Sequence, residues 1–207
     1  MAIVTDNIIM KGMSGTIGKE LTYRQFRGKT IVSRYQRPHS VPPTAKKIAA
    51  QVKFAKATAY ARGAIDNPEI KAMYQSAAGI DQRAFNVAIS DALHPPKVDN
   101  IELDSYHGHA GDSVMITASD DFKVAAVRVA ITDGCGTFVE EGDAVEQADN
   151  KHWVYTSTNE NARLTGSAIS ATAVDMPGNI GKLIVFYEDA VDGCVQSKQI
   201  TAVAKIF

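Results

Sequence analysis

A chain of 207 residues, 45% apolar and 22% charged, is long enough to form one large or two small domains with a buried core. Its apolar runs fall short of the roughly 18 residues that a membrane-spanning helix needs, which argues against a membrane protein. The first ten residues contain an acidic residue but no basic segment, so we expect no secretory signal peptide and synthesis in a cytoplasm.

The net charge of −1 conceals two halves of opposite sign. Residues 1–96 contain 14 Lys and Arg against 6 Asp and Glu, a balance of +8. Residues 97–207 contain 8 against 17, a balance of −9. The basic half suits nucleic acid, an acidic protein partner, or the acidic half of a neighbouring copy. The alternative is an uneven but merely solvated surface.

The first 40 residues favour β-structure. The β-forming segments 21–26 and 30–35 flank Arg27-Gly28-Lys29, which is a typical hairpin turn sequence. The prolines that follow at positions 38, 42 and 43 end this region, because proline cannot continue a ladder of strand hydrogen bonds.

Three helices are predicted next. The first is capped by Thr44 and runs to about Arg62, where Gly63 ends it. Its apolar stripe consists of Ile48, Val52, Ala55 and Ala59.

Clear caps define the other two helices. Asn67 caps the second helix, with Pro68 at its first position. Asp81 caps the third, which ends before Pro95-Pro96. The short links between the helices predict a small antiparallel bundle.

A proline-rich linker, residues 94–97, separates the helices from a region of short alternating runs. Trp153 is predicted to anchor the core of this region, with its indole N–H hydrogen-bonded. Six or seven short strands separated by turn sequences predict an antiparallel β-sandwich. The predicted strands are 114–118, 124–131, 153–157, 168–174, 183–188 and 199–206.

The whole chain is therefore predicted to be α+β. Residues 1–96 form a basic domain with an N-terminal β-hairpin and a short helical bundle. Residues 97–207 form an acidic, immunoglobulin-like sandwich.

Candidate catalytic and cofactor sites fail on spacing. In the stretch 12–19, five residues separate Gly12 from Gly18 where a phosphate-binding loop needs four, and Glu20 follows Lys19 where Ser or Thr is required. There is no nucleophile-elbow motif. We therefore predict neither an enzyme nor a cofactor.

Two loop clusters contain residue types that bind metal ions. His107 and His109 beside Asp112 are too few for a closed zinc site, so a surface loop is favoured. The other cluster, Asp120-Asp121 with Asp175 and Asn179, offers oxygen ligands to calcium. Turn formation by the same side chains is the favoured interpretation.

Both cysteines, Cys135 and Cys194, follow an Asp-Gly turn sequence. Pairing between them stays open, with two free thiols favoured in a reducing compartment.

The predicted partner-binding site is a dense basic cluster in the first hairpin, interleaved with Tyr23, Phe26 and Tyr35. It suits nucleic-acid phosphates or an acidic protein met by strand addition. The alternative is a charged strand edge that only resists aggregation. The cluster consists of Lys19, Arg24, Arg27, Lys29, Arg34 and Arg37.

The motifs Gly15-Thr-Ile-Gly-Lys19, Tyr23-Arg24 and Arg27-Gly-Lys-Thr30, ending at Arg37-Pro38, resemble proteins of unassigned role from bacteriophages and mobile elements of Bacteroidota. Trp153, Gly166 and the stretch 173–179 resemble a bacterial immunoglobulin-like domain.

These resemblances imply a structural protein of a phage-like particle, made in the host cytoplasm and located in the virion as an auxiliary capsid, head–tail or tail component. Its partners would be other structural proteins and copies of itself, with no membrane. The alternatives are a nucleic-acid-binding protein using residues 19–56 and an exported immunoglobulin-like adhesion module.

Overall fold

The computed structural model describes residues 2–4, 7–26, 28–36, 42–80, 82–188 and 199–200. It is α+β, as predicted, with three helices and three antiparallel sheets in the described residues. The chain divides into two compact units, Met1–Lys47 (the first unit) and Ile48–Phe207 (the second unit). The predicted domain boundary between residues 96 and 97 stays a prediction. No helix within these described ranges has the length and apolar character needed to cross a membrane.

The first unit contains a four-stranded sheet of β1 (Ala2–Val4), β2 (Gly15–Ile17), β3 (Leu21–Phe26) and β4 (Lys29–Arg34). The strand order is β1-β4-β3-β2. Strands β3 and β4 pair so that Leu21 lies opposite Arg34 and Phe26 lies opposite Lys29. Gly28, with φ of 72°, provides the left-handed turn residue between them.

One face of this sheet is partly covered by the loop that precedes β2. Gln25 Nε2 donates to the carbonyl oxygen of Met13 and to Thr30 Oγ1, both at 2.8 Å. Thr30 Oγ1 also accepts from the backbone N–H of Gly12 at 3.2 Å. Thr30 is consequently buried, as is Tyr23 on the same face.

Helix α1 (Ala45–Asp66) departs from the sequence prediction in two ways. It continues through Gly63, where we expected it to end. It also buries Ala57, Ala61 and Ala64, whereas the predicted stripe of Ile48, Val52, Ala55 and Ala59 is exposed. Both errors have one cause: Ala61 and Ala64, on either side of Gly63, belong to a small core shared with the next two helices, and their burial outweighs the local cost of one glycine.

Helices α2 (Pro68–Ala77) and α3 (Ala84–Leu93) complete the helical part. The predicted cap of α2 is confirmed, because Asn67 Oδ1 accepts from the backbone N–H of Glu69 at 2.9 Å. The position before α3 is Arg83, and the predicted cap Asp81 lies outside the described residues. The helices share a small core formed by Ala61, Ala64, Tyr74, Ala84 and Ala88.

Two antiparallel sheets form the rest of the described second unit. Their strands are β5 (Lys97–Glu102), β6 (Ser113–Ser119), β7 (Val124–Thr132), β8 (Phe138–Asp143), β9 (Val145–Glu146), β10 (His152–Thr156), β11 (Ala168–Asp175), β12 (Ile180–Phe186) and β13 (Gln199–Ile200). The strand orders are β5-β6-β10-β9 and β13-β12-β11-β7-β8. The sequence pattern does not predict β5, β8 or β9, and the segment predicted to be a linker enters β5 at Lys97.

A single apolar core receives side chains from both sheets. Strand β11 buries every second residue, as a strand with one covered face does. Trp153 is buried in this core, as predicted, with 4% of its surface exposed. Its indole N–H, however, has no hydrogen-bond partner among the described residues, contrary to our expectation.

Candidate functional site

The described members of the predicted basic cluster do not all lie on one face of the sheet. Lys19, Arg24, Lys29 and Arg34 are all exposed, while Arg27 and Arg37 lie outside the described residues. Side chains of directly paired residues project from the same face of a sheet, and successive residues project from opposite faces. The register of β3 with β4 therefore places Arg24 and Lys29 on one face and Arg34 on the other.

The face that carries Arg24 and Lys29 also carries apolar side chains; we call Ile3, Arg24, Phe26 and Lys29 the basic face. Ile3 pairs with Ile31, which pairs in turn with Arg24 on the far side. Ile3 is 59% exposed and Phe26 55% exposed, whereas Ile31 between them is buried. Large exposed apolar side chains flanked by cations are a composition typical of a protein-binding surface.

The first half of α1 is a second exposed apolar surface. Ile48, Val52 and Phe54 are each about half exposed, at 48%, 50% and 53%. Lys53 lies among them, and its Nζ donates to the carbonyl oxygen of Leu93 at 2.7 Å. This half of the helix thus contributes little to the core of the second unit.

A different kind of site lies inside the second unit, where three carboxylates meet. Asp91 belongs to α3, Asp120 lies in the turn after β6, and Asp175 is the last residue of β11. One oxygen from each lies within 4.8 Å of the others. Asp91 is 1% and Asp175 3% exposed, while Asp120 is half-buried.

Separate hydrogen-bond donors contact Asp91 and Asp120, two members of this acidic cluster. Tyr74 Oη donates to Asp91 Oδ2 at 2.5 Å. The backbone N–H groups of Phe122 and Lys123 donate to Asp120 Oδ2 at 3.3 and 3.1 Å. The other oxygens, Asp91 Oδ1 and Asp120 Oδ1, are buried and have no hydrogen-bond partner in the described part of the chain.

Asp175 has donors on both of its oxygens, and both come from Asn179. The backbone N–H of Asn179 donates to Oδ1 at 2.6 Å, and the side-chain amide donates to Oδ2 at 2.7 Å. The same amide lies 3.4 Å from the carbonyl oxygens of Asp91 and Ala92. Asn179 therefore connects the end of α3 to the turn between β11 and β12.

Burial dominates the electrostatics of the cluster. It raises the pKa of Asp91 to about 7, an effect that the Tyr74 hydrogen bond opposes and the nearby Asp120 and Asp175 carboxylates reinforce. Burial likewise raises the pKa of Asp175, opposed by the Asn179 hydrogen bonds. The pKa of Tyr74 is raised by its burial and by its hydrogen bond to Asp91, so this phenol stays protonated and acts as a donor.

A cleft of about 500 Å³ leads to the half-buried member of the cluster. Asp120 lines it together with Met73 and Ser76 of α2, Phe122, and Asp149 in the turn before β10. Asp120 therefore lies at the boundary between this cleft and the buried part of the cluster.

The other sequence-based candidates are explained by turns. Asp112 Oδ2 accepts from the backbone N–H groups of His107 and His109 at 2.7 and 2.8 Å, which supports the surface-loop interpretation. Asp121, the neighbour of Asp120, turns away and pairs with His94 at 2.8 Å. Cys135 is an exposed free thiol, and its pairing with Cys194 falls outside the described residues.

The sequence analysis grouped Asp120, Asp175 and Asn179 as candidate ligands but did not include Asp91. The signal was present: Asp91 lies three residues after Ala88 and seven after Ala84, on the buried stripe of α3. A charged residue at a buried helical position needs a partner, and reading α3 in this way would have identified it.

Comparisons with known proteins do not identify a family for this chain. Neither a protein-family model nor a curated protein matches the chain. Among solved structures, CopC from Methylosinus trichosporium OB3b is similar to 43% of this chain and 87% of its own, with 16% identity and a TM-score of 0.32. A likeness at this level carries no argument about function.

Proposed function

We propose that this protein is a non-enzymatic structural component of a phage-like particle that docks through the basic face of its first unit. The resemblance of about the first 60 residues to phage and mobile-element proteins supports a role in such a particle. The observation that carries the docking role is the joint exposure of Ile3 and Phe26 beside Arg24 and Lys29. Apolar side chains of this size are costly to leave in water, and cations at their rim select an acidic partner.

The partner that fits best is the acidic surface of a neighbouring copy. The first unit contains 9 Lys and Arg against 2 Asp and Glu, a balance of +7. The second contains 13 against 21, a balance of −8. Contact between the first unit of one copy and the second unit of the next is head-to-tail, and repetition of such contacts builds rings or filaments. Other acidic structural proteins of the particle would use the same face.

The two facing sheets of the second unit would then act as a rigid body that the docked region holds in place. Seven or more short antiparallel strands around one core are consistent with an immunoglobulin-like sandwich. Such a body presents loops and strand edges to neighbours and requires no catalytic machinery.

The test is sedimentation velocity of the full chain over a range of concentrations, at low and at high salt. We expect concentration-dependent association that weakens at high salt, because screening reduces attraction between surface charges. The double variant Arg24→Glu with Lys29→Glu should remain monomeric, with an unchanged far-UV circular dichroism spectrum.

A matched control separates the basic face from general charge. Lys19→Glu with Arg34→Glu changes the net charge equally, but at a turn and on the opposite face, and should still associate. Equal loss of association in both variants would contradict docking by the basic face. So would a wild-type protein that stays monomeric at every concentration.

The same proteins also test the nucleic-acid alternative. We expect wild-type protein to bind random duplex DNA weakly. Tight binding whose log K falls with log salt at about −0.9 per neutralised phosphate, by a protein that does not self-associate, would replace protein docking with a nucleic-acid role for residues 19–56.

A further inference from the structure

The acidic cluster poses a physical problem that side chains in the described part of the chain do not solve. Three carboxylate oxygens lie within 4.8 Å of one another, and two of the residues are almost fully buried. No Lys, Arg or His among the described residues forms an ion pair with any of the three. Buried carboxylates require a counter-charge or a metal, or else one of the carboxyl groups retains its proton.

The oxygens without a hydrogen-bond donor indicate where a cation would bind. The hydrogen-bond donors around Asp91 and Asp120 occupy Oδ2 in each case, leaving Oδ1 buried without a donor. Tyr74 and the backbone N–H groups at 122 and 123 thereby fix the orientation of both carboxylates. Fixing one oxygen of a carboxylate while the other stays available is how outer-shell groups orient metal ligands.

We propose that Asp91, Asp120 and Asp175 bind one Ca²⁺ ion, which joins helix α3 to both facing sheets of the second unit. Each ligand comes from a different layer: Asp91 from α3, Asp120 from the end of β6, and Asp175 from the end of β11. The ion provides the positive charge that the cluster lacks and fixes the helices against the strands.

Both geometry and chemistry select calcium. Oxygens that share one Ca²⁺ at 2.3–2.6 Å lie at most about 5 Å apart, and the separations here are within 4.8 Å. A purely carboxylate set excludes soft metals, which prefer sulfur or imidazole ligands. Mg²⁺ demands a near-ideal octahedron of ligands at about 2.0–2.1 Å, whereas Ca²⁺ accepts the irregular geometry of ligands that come from three separate elements.

The cleft gives the ion a route to its ligands. Asp120 is both a member of the cluster and part of the cleft wall, so an incoming ion meets it first. Water can complete the coordination shell beside the half-buried Asp120, whereas Asp91 and Asp175 are almost fully buried.

Thermal unfolding of the full chain, first stripped with EDTA and then titrated with CaCl₂, tests the proposal. At a Ca²⁺ concentration 100-fold above its dissociation constant, we expect the melting temperature to rise by about 5–10 °C. Tb³⁺, a luminescent substitute for Ca²⁺, should show emission on excitation of tyrosine, because Tyr74 contacts the ligand Asp91.

Adjacent aspartates supply matched variants. Asp120→Asn should abolish the Ca²⁺-dependent rise and the Tb³⁺ emission, whereas Asp121→Asn, an equal change at the exposed residue paired with His94, should keep both. In EDTA, Asp120→Asn should be at least as stable as the wild type, because an amide next to Asp91 removes like-charge repulsion. This result would show that the variant folds.

Three outcomes would overturn the assignment. The first is a wild-type protein whose melting temperature does not rise with Ca²⁺ and which shows no Tb³⁺ emission. This result would mean that a proton shared between the carboxylates neutralises the buried charge. The second is an Asp120→Asn variant that responds to Ca²⁺ like the wild type. The third is a response to MgCl₂ that is absent with CaCl₂.

Discussion

The sheet of the first unit and the two sheets of the second are all antiparallel, yet they bury their side chains very differently. Strand β11 buries alternate residues along its entire length, and its sheet faces another across a continuous apolar core. Strand β3 buries only Tyr23, and the two outer strands of its sheet, β1 and β2, leave Ile3 and Ile17 more than half exposed.

We infer from this difference that burial in the second unit provides stability, whereas the sheet of the first unit provides a binding surface. A strand with one fully covered face gains most of its free energy from burial within its own chain. A sheet with exposed apolar side chains retains surface that a partner can cover. Substitutions in the second unit should therefore change unfolding, whereas substitutions on the basic face should change association.

The largest effect is expected at Trp153. Trp153→Ala should lower the free energy of unfolding by about 3–5 kcal/mol, because it leaves a large cavity in the shared core. Urea denaturation followed by circular dichroism measures this change. A loss below about 1 kcal/mol would mean that the two facing sheets do not depend on their common core.

A smaller loss is expected where β12 passes close to the start of β5. A Cβ atom at Gly181 would lie 2.0 Å from the carbonyl oxygen of Pro96, so the backbones would have to separate. Gly181→Ala should cost about 1–3 kcal/mol by urea denaturation. Unchanged stability would show that this close approach is not required.

The opposite sign is expected at Gly63, in the last turn of α1. A Cβ atom there would meet nothing within 4 Å, and alanine is favoured over glycine in helices. Gly63→Ala should stabilise the protein by about 0.5–1 kcal/mol, measured in the same way. Destabilisation would contradict a continuous helix from residue 45 to 66.

The smallest effect on unfolding is expected on the basic face. Phe26→Ser, at a residue that is 55% exposed, should change the unfolding free energy by no more than about 0.5 kcal/mol, measured at a concentration where the protein is monomeric. The same substitution should weaken self-association in sedimentation experiments. A large loss of monomer stability would mean that this face is a core and not a contact surface.

Much of the fold was predictable because local signals and tertiary packing agreed. The α2 cap at Asn67 and the alternating pattern of β11 each depend on neighbours in sequence, which a single chain displays. The end of α1 did not follow from local signals. Gly63 is a helix terminator by itself, but burial of Ala61 and Ala64 beside it decides the outcome, and those contacts involve residues distant in sequence.

The sites were predictable only in part, for a related reason. Sequence alone grouped Arg24 with Arg34 because they are close along the chain, whereas the strand register places them on opposite faces. It also grouped Asp120 with Asp175 but not with Asp91, whose partners are 29 and 84 positions away. Clusters assembled from separate elements depend on topology, which residue spacing does not encode.

Hydroxyl-radical footprinting of Phe26 tests the central claim, that the basic face is covered by a partner, most directly. The oxidation rate of this ring should be high in dilute protein and fall as the concentration rises, because a neighbouring copy covers it. In the variant Arg24→Glu with Lys29→Glu, the rate should stay high at every concentration. A wild-type protein that associates while Phe26 keeps its dilute-solution oxidation rate would contradict the account, because the interface would then lie elsewhere.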